Sequence, residues 1–259
     1  MEVSVEIGAL PDSVWKMISE GQEIQKWLAP QARVVPGEGG SMWLSWGEPY
    51  EAEARIDVWQ PGERLRTNGL PSAPTREKVQ GGPMAMIVDY RLEAAHGGKT
   101  VLRLVQSGFG DSSDWDDEFA GTSIGWRVYL SNLKHLLTYH PDKTPRGLMH
   151  MAVLRIPLAE AWSRLTTALS IGGCRRGERY SITTPWGERL EGVIEMLDPE
   201  QAFIATDERR NQALIGFTLV RRMGIEALAW GALLFDSSEA EAEALKSRWA
   251  GFLDALLAP

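Results

Sequence analysis

The chain has 259 residues, with 27 basic against 35 acidic side chains and a formal net charge of -8. This acidic balance argues against nucleic acid or an anionic membrane surface as a partner, because both require a cationic face that releases counterions. One cysteine, Cys174, excludes an intrachain disulfide and any multi-cysteine metal site, and no apolar run is long enough to cross a bilayer. The start, Met1-Glu-Val-Ser-Val-Glu6, has neither a basic leader nor an apolar signal core, so the expected location is the cytoplasm.

The first half opens with a strand over residues 1–7 and a helix begun by Pro11, in which Val14, Trp15 and Ile18 form the apolar stripe. A second short helix over 22–28 stops before Pro30, and Pro36-Gly-Glu-Gly-Gly40 breaks any regular element. The period then becomes two, which predicts strands at 41–46, 51–59, 63–69, 84–93 and 100–109. Pro61-Gly62 and His96-Gly97-Gly98 are tight turns, so neighbouring strands are expected to pair as antiparallel hairpins. Helical spacing resumes with Trp115, Phe119, Trp126, Leu130, Leu133 and Leu137 on one face; Gly121 and Gly125 are expected to admit a close neighbour. Asp111, Asp114, Asp116, Asp117 and Glu118 at the start of this helix complement its dipole rather than marking a cation site.

The second half repeats this plan in shortened form. An opening strand over 149–157 leads into a helix carrying Trp162, hairpin-like runs follow at 178–185, 188–197, 201–207, 212–222 and 225–236, and a helix closes the chain over 239–257. The copy lacks the second short helix, the Pro-Gly-rich loop and the Trp-Asp lead-in to the last helix, which should shrink any cavity. Strands over 213–220 and 227–235 are apolar on both faces, so their outer face is expected to be covered by the first domain or by a second chain. The expected organisation is a first domain over 1–140, a doubly proline-stiffened linker over 141–148 and a degenerate second domain over 149–259.

Each half is expected to be α+β, one curved antiparallel sheet wrapped round one long carboxy-terminal helix. The ordered set Trp27-Leu-Ala-Pro30, Pro36-Gly-Glu-Gly-Gly40, Val58-Trp-Gln-Pro61, Gly97-Gly-Lys-Thr-Val-Leu-Arg-Leu104, Ser107-Gly-Phe109, Trp115-Asp116 and Gly125-Trp126 resembles the SRPBCC (START-like) superfamily. Within it, the match is to the branch similar to the activator of the heat-shock chaperone ATPase. The resemblance covers about residues 1 to 140 and implies the helix-grip fold, in which sheet and helix enclose an elongated, largely apolar cavity. Functions in that superfamily run from lipid and hormone binding through polyketide cyclisation to chaperone regulation, so the fold does not settle the function. Many members carry His where this chain has Gln106, a departure that removes a titratable group and weakens any general-base role.

Hairpin register selects the side chains expected to face the cavity. A three-residue turn at 96–98 sets Leu92 against Leu102, Tyr90 against Leu104, Val88 against Gln106 and Met86 against Gly108. A four-residue loop at 47–50 sets Trp43 opposite Ala54, whereas a slip of one residue turns Trp46 inward instead. From the long helix come Phe119, Thr122 and Trp126. The same residues suit an ordinary core; what favours a pocket is the pair Tyr90 and Gln106, two polar anchors on an apolar wall.

No catalytic constellation emerges. His96, His135, His140 and His150 lack ligand spacing, and there is no nucleophile elbow, no phosphate-binding glycine loop and no cysteine-histidine pair. Cys174, beside Arg175-Arg176, reads as a loop cysteine before it reads as an activated thiolate. No metal or cofactor is expected. The favoured function is non-enzymatic binding of a small hydrophobic or aromatic molecule in the first domain. Two alternatives stand beside it: an interaction module resembling the chaperone regulators, and a cyclase- or hydrolase-like enzyme using Tyr90 as an acid. A homodimer through the apolar sheet and a monomer are equally compatible with the sequence.

Overall fold

Alternation in the first half resolves into seven antiparallel strands: β1 (Glu2–Ile7), β2 (Gln31–Val35), β3 (Ser41–Ser45), β4 (Glu51–Gln60), β5 (Arg64–Gly69), β6 (Met86–Ala95) and β7 (Lys99–Ser107), in the order β1-β7-β6-β5-β4-β3-β2. The computed structural model describes residues 1–78, 85–222 and 225–258, so Met84, expected to open β6, lies outside the described residues. Among the described residues four α-helices accompany the sheet: α1 (Pro11–Ser19), α2 (Gly21–Ile24), α3 (Ala73–Lys78) and the 24-residue α4 (Asp116–Tyr139). Strand β2 and helix α3 were not expected from the sequence. Only Ala32 and Val34 alternate apolar in β2, which lies between two prolines at the edge of the sheet, where pairing with one neighbour suffices.

Burial follows the periods. Helix α1 starts on Pro11, whose missing N–H costs nothing there, and buries Val14, Trp15, Met17 and Ile18. The Trp15 ring meets Trp59 edge-on at 5.1 Å, and Trp27 Nε1 donates to the Met17 carbonyl at 2.8 Å. Three acidic residues occupy the first turn of α4, favourable at the positive end of the helix. On β6, burial pushes the Asp89 carboxyl up, but hydrogen bonds from Arg64 and Arg91 outweigh it and hold the group below its ordinary value.

The chain divides into two units, Met1–Asp142 and Lys143–Pro259. The second contains β8 (Arg146–Val153), α5 (Leu158–Ala168), β9 (Arg179–Thr183), β10 (Arg189–Asp198), β11 (Ala202–Asp207), β12 (Ala213–Arg222), β13 (Ile225–Leu234) and α6 (Glu239–Leu256). Its six strands run in the order β8-β13-β12-β11-β10-β9. Strand β8 begins inside the stretch expected as linker, since Arg146, Gly147 and Leu148 pair with Leu234, Leu233 and Ala232. A capping box at Ser238 and Glu241 fixes the start of α6. Both units are therefore α+β, each a single antiparallel sheet with one long closing helix.

The inner face of the second sheet is sealed by aromatic rings. Phe217 and Trp230 face each other across β12 and β13, and Trp249 of α6 packs on both, at 5.1 Å and 5.8 Å between ring centroids. Trp186 and Phe252 complete the cluster around Trp249. The outer face is mixed rather than uniformly covered: Ile204 and Leu214 are buried, whereas Met149, Met151 and Val153 on the edge strand β8 are exposed. At the end of β11, Asp207 is fully buried and bonded to Arg210, which also pairs with Glu188. Burial outweighs that pairing and pushes the Asp207 carboxyl up.

Candidate ligand site between the first sheet and its helix

Two glycines with positive φ, Gly97 at 76° and Gly98 at 72°, form the turn that a three-residue hairpin requires, and Ala95 pairs with Lys99 across it. That turn sets Leu92 opposite Leu102, Tyr90 opposite Leu104 and Val88 opposite Gln106, as its length predicts. Strand β7 ends at Ser107, yet Gly108 stays against the neighbouring strand. With φ at 101°, a Cβ added there would sit 2.0 Å from the Ala85 carbonyl oxygen and 3.1 Å from the Met86 Cα. Only glycine suits this position.

The expected β3–β4 pairing is corrected by one residue. Trp43 faces Glu53, and Met42 is the residue opposite Ala54. The cause is the hairpin loop, which runs over five residues, 46–50, closed by Trp46 N–H donating to the Tyr50 carbonyl at 3.0 Å. Trp43 thus lies on the opposite face from Met42, where the Arg33 guanidinium sits 4.0 Å over its ring. There it borders a second concavity of about 470 Å³ with Glu51, Glu53, Leu70, Pro71 and Arg76. Trp46 goes to the helix side, 6.4 Å from the Tyr129 ring, with Nε1 donating to the Leu28 carbonyl.

Exposure along the inner face is graded. Near the 96–98 turn, Ile7, Leu65, Leu92 and Leu102 are buried together with Val14 and Ile18 of α1 and Leu133 and Leu136 of α4. Toward the other end of the strands, Ala54, Met86 and Val88 are only half-buried, as are Thr122, Trp126 and Tyr129 on α4. Burial is thus complete at one end of the inner face and only partial at the other.

Three side chains converge at the inner limit of this partly buried region. Trp126 Nε1 donates to Gln106 Oε1, and the Trp126 ring stands edge-on to Tyr90 at 5.9 Å. Tyr90 and Gln106 are buried, at 3% and 8% exposure. Burial pushes the Tyr90 hydroxyl well above its ordinary value, so it stays neutral and keeps a proton to donate. Among the described residues neither the Tyr90 hydroxyl nor the Gln106 amide nitrogen has a hydrogen-bond partner, and neither belongs to the fully enclosed unsatisfied atoms. Leu104, opposite Tyr90, is fully buried and supplies wall, not polarity.

Phe119 does not join the group. It is 43% exposed, because it lies in the first turn of α4 beyond the end of β7, and its ring meets Phe109 at 5.2 Å. Gly125 mediates no close approach either, since a Cβ there would meet only the Tyr129 ring at 3.9 Å. The feature that sequence reasoning missed is Glu118. It is 1% exposed and accepts from Thr75 Oγ1 at 3.3 Å, which ties α3 to the start of α4. Its place one helical turn before Thr122 was the available signal, hidden within an acidic cluster.

Chemistry outside this region is sparse. Burial and then the neighbouring Glu178 carboxylate push the Cys174 thiol up, the opposite of an activated nucleophile. His135 and His140 are buried with rings 5.9 Å apart, and His150 Nε2 lies 3.0 Å from Asp254 Oδ1. Among the described residues no group of three or more potential ligands is arranged to hold a metal, and no helix is long and apolar enough to cross a membrane.

A seven-stranded antiparallel sheet with a long closing helix defines a helix-grip fold. The family described as activator of Hsp90 ATPase homolog 1-like protein matches residues 9–138, half of the chain, and the chain belongs to that family. No curated protein matches it. Among solved structures it is similar to protein MLL2253 from Mesorhizobium loti, at 24% identity and a TM-score of 0.44 over 53% of this chain and 96% of that one. It is similar to the Aha1 dimer from Colwellia psychrerythraea at 16% identity and a TM-score of 0.44, over 53% of this chain and 94% of that one. The di-domain ARO/CYC BexL from the BE-7585A biosynthetic pathway is 14% identical with a TM-score of 0.46, and the match spans 100% of this chain and 98% of that one.

Proposed function

We propose that the first domain binds a small, largely apolar or aromatic molecule in the cleft between its sheet and α4, without turnover. Support comes chiefly from the exposure gradient: Met86, Val88, Thr122 and Trp126 are only partly buried where a closed core would bury them, and two polar groups at the inner end lack partners among the described residues. Apolar walls supply the affinity, while Tyr90 and Gln106 orient the molecule. Trp43 and Phe119 drop out of the lining set, and Ala54, Met86, Val88, Tyr90, Leu104, Gln106, Thr122 and Trp126 remain in it. A neutral Tyr90 with a raised pKa is a poor proton donor for chemistry, which favours binding over the cyclase- or hydrolase-like alternative.

The test is titration with an environment-sensitive apolar fluorophore such as 1-anilinonaphthalene-8-sulfonate, alongside native mass spectrometry of the freshly purified protein. Saturable uptake by the wild type, abolished in Val88→Trp with unchanged hydrogen-exchange protection of β6 and β7, supports the site. Equal uptake by wild type and Val88→Trp, or none by either, refutes it.

A second reading, an interaction module, is favoured by one observation in the other domain. Met149, Met151 and Val153 present exposed apolar side chains along an edge strand. The family description names an activator of a chaperone ATPase, so stimulation of an Hsp90-type ATPase by the whole chain, lost in Met149→Asp, is its test.

A further inference from the structure

Gln106 is held in one orientation, and that orientation determines what it offers a ligand. The Trp126 indole N–H can only donate, so the oxygen of the Gln106 carboxamide must face it, and the NH2 group is the half left over. Beside it on β6, two residues along and across from Leu104, is the Tyr90 hydroxyl, kept in its protonated form by burial. The cleft therefore ends in two hydrogen-bond donors, both without a partner among the described residues, on an otherwise apolar wall.

Building on the binding role assigned to the cleft above, we infer that its ligands carry an oxygen acceptor at their inner end, a ketone, quinone or similar carbonyl on a flat apolar skeleton. An acceptor oxygen has two lone pairs, one for the Tyr90 hydroxyl and one for the Gln106 amide. A hydrocarbon of the same shape leaves both donors desolvated and unsatisfied, and this costs far more than the hydrogen bonds themselves return. A ligand whose inner end is an ammonium can donate only to the Tyr90 hydroxyl oxygen, while the Gln106 NH2 stays unsatisfied and no carboxylate among the lining residues balances the charge, so it is disfavoured. Carboxylates accept as well, but no cation among the lining residues offsets the charge they would bring into the cleft, so neutral carbonyls are favoured over acids. Trp126 acts as a positioning residue, because its contact with the ligand is secondary to its holding of the Gln106 amide.

Fluorenone and fluorene are the probes, since they share size, shape and rigidity and differ in a carbonyl against a methylene. Affinities are measured by isothermal titration calorimetry, and the bound ketone is examined by the infrared frequency of its C=O stretch. The wild type is expected to favour fluorenone by roughly tenfold or more, the return from two hydrogen bonds, with the C=O stretch displaced to lower wavenumber. In Tyr90→Phe and in Gln106→Met the preference should fall toward unity while fluorene affinity is retained. Gln106→Met removes the NH2 donor without bringing a charge into the buried site, and Tyr90→Phe removes the hydroxyl while keeping the ring. If both probes bind the wild type equally, the cleft binds apolar molecules but its two donors select nothing, and the carbonyl assignment is overturned alone. If neither binds, the binding role falls and takes this assignment with it.

Discussion

The two halves of this chain use one plan and treat its interior in opposite ways. In the second, the tryptophan of the closing helix, Trp249, is 1% exposed and packs on Trp230, Phe217, Trp186 and Phe252. In the first, the corresponding Trp126 is only partly buried, and it meets the rings of Tyr90 and Tyr129 and the Gln106 carboxamide. The second interior closes round its tryptophan with four rings, whereas the first sets a carboxamide beside two. Among the described residues the shortened copy has no counterpart of β2 or α2.

Truncating each tryptophan is the strongest way to break this comparison. Trp249→Ala should destabilise the second unit by about 3–5 kcal/mol, the usual cost of emptying a fully packed aromatic site. Trp126→Ala should cost the first unit less, about 1–3 kcal/mol, because Trp126 is only partly buried. Urea titration followed by hydrogen exchange in each half measures both, and equal losses would mean that the first interior is as closed as the second. Next in size is Gly108→Ala, expected to cost about 2 kcal/mol because it combines a positive φ with a collision against the Ala85 carbonyl. That loss should appear in β6 and β7 and leave the second unit untouched.

Acid separates the halves by sign. Asp89 has a folded pKa below its unfolded one, so the unfolded chain binds the proton more tightly. The stability Asp89 contributes is present above its unfolded pKa, about 4, and is lost as pH falls through the lower folded value. Asp207 is raised, so the folded chain binds its proton more tightly. Its contribution is complete below about pH 4 and is lost as pH rises through the higher folded value. Asp89→Asn should therefore flatten an acid-side loss in the first unit, and Asp207→Asn should flatten a loss on rising pH in the second. Slopes of one sign in both units would contradict the opposed environments. The smallest effect is expected from Val153→Lys, within about 0.5 kcal/mol in thermal unfolding, because its side chain is 69% exposed. A larger change would reveal a packed role for the β8 edge.

Much of the architecture was legible because local chemistry decided it. The turn at 96–98 has two glycines whose positive φ permits only one compact geometry, and the register of Tyr90, Leu104 and Gln106 follows from its length. The 46–50 loop gave no such signal, since Trp46 reads equally well as the last residue of a strand or the first of a loop, and Trp43 was assigned to the wrong face in consequence. The short α3 and its bond to Glu118 depend on tertiary packing, to which helical periodicity over six residues is blind. Similarly, the hydrogen bond from Trp126 to Gln106 joins a helix to a strand 20 residues away, and no spacing rule predicts it.

The 46–50 loop has a wider consequence. Because successive side chains of a strand alternate sides, the parity of a turn sorts every residue behind it into one of two compartments. With five residues in the loop, Met42 lies opposite Ala54 and Trp43 opposite Glu53, so the larger ring is consigned to the far side, where Arg33 stacks on it. A single deletion in that loop would exchange the two compartments along β3, delivering an indole to the helix-facing side without any change in the strand's own sequence. Insertions and deletions at this one turn are thus a route by which the same strands can enclose differently shaped interiors.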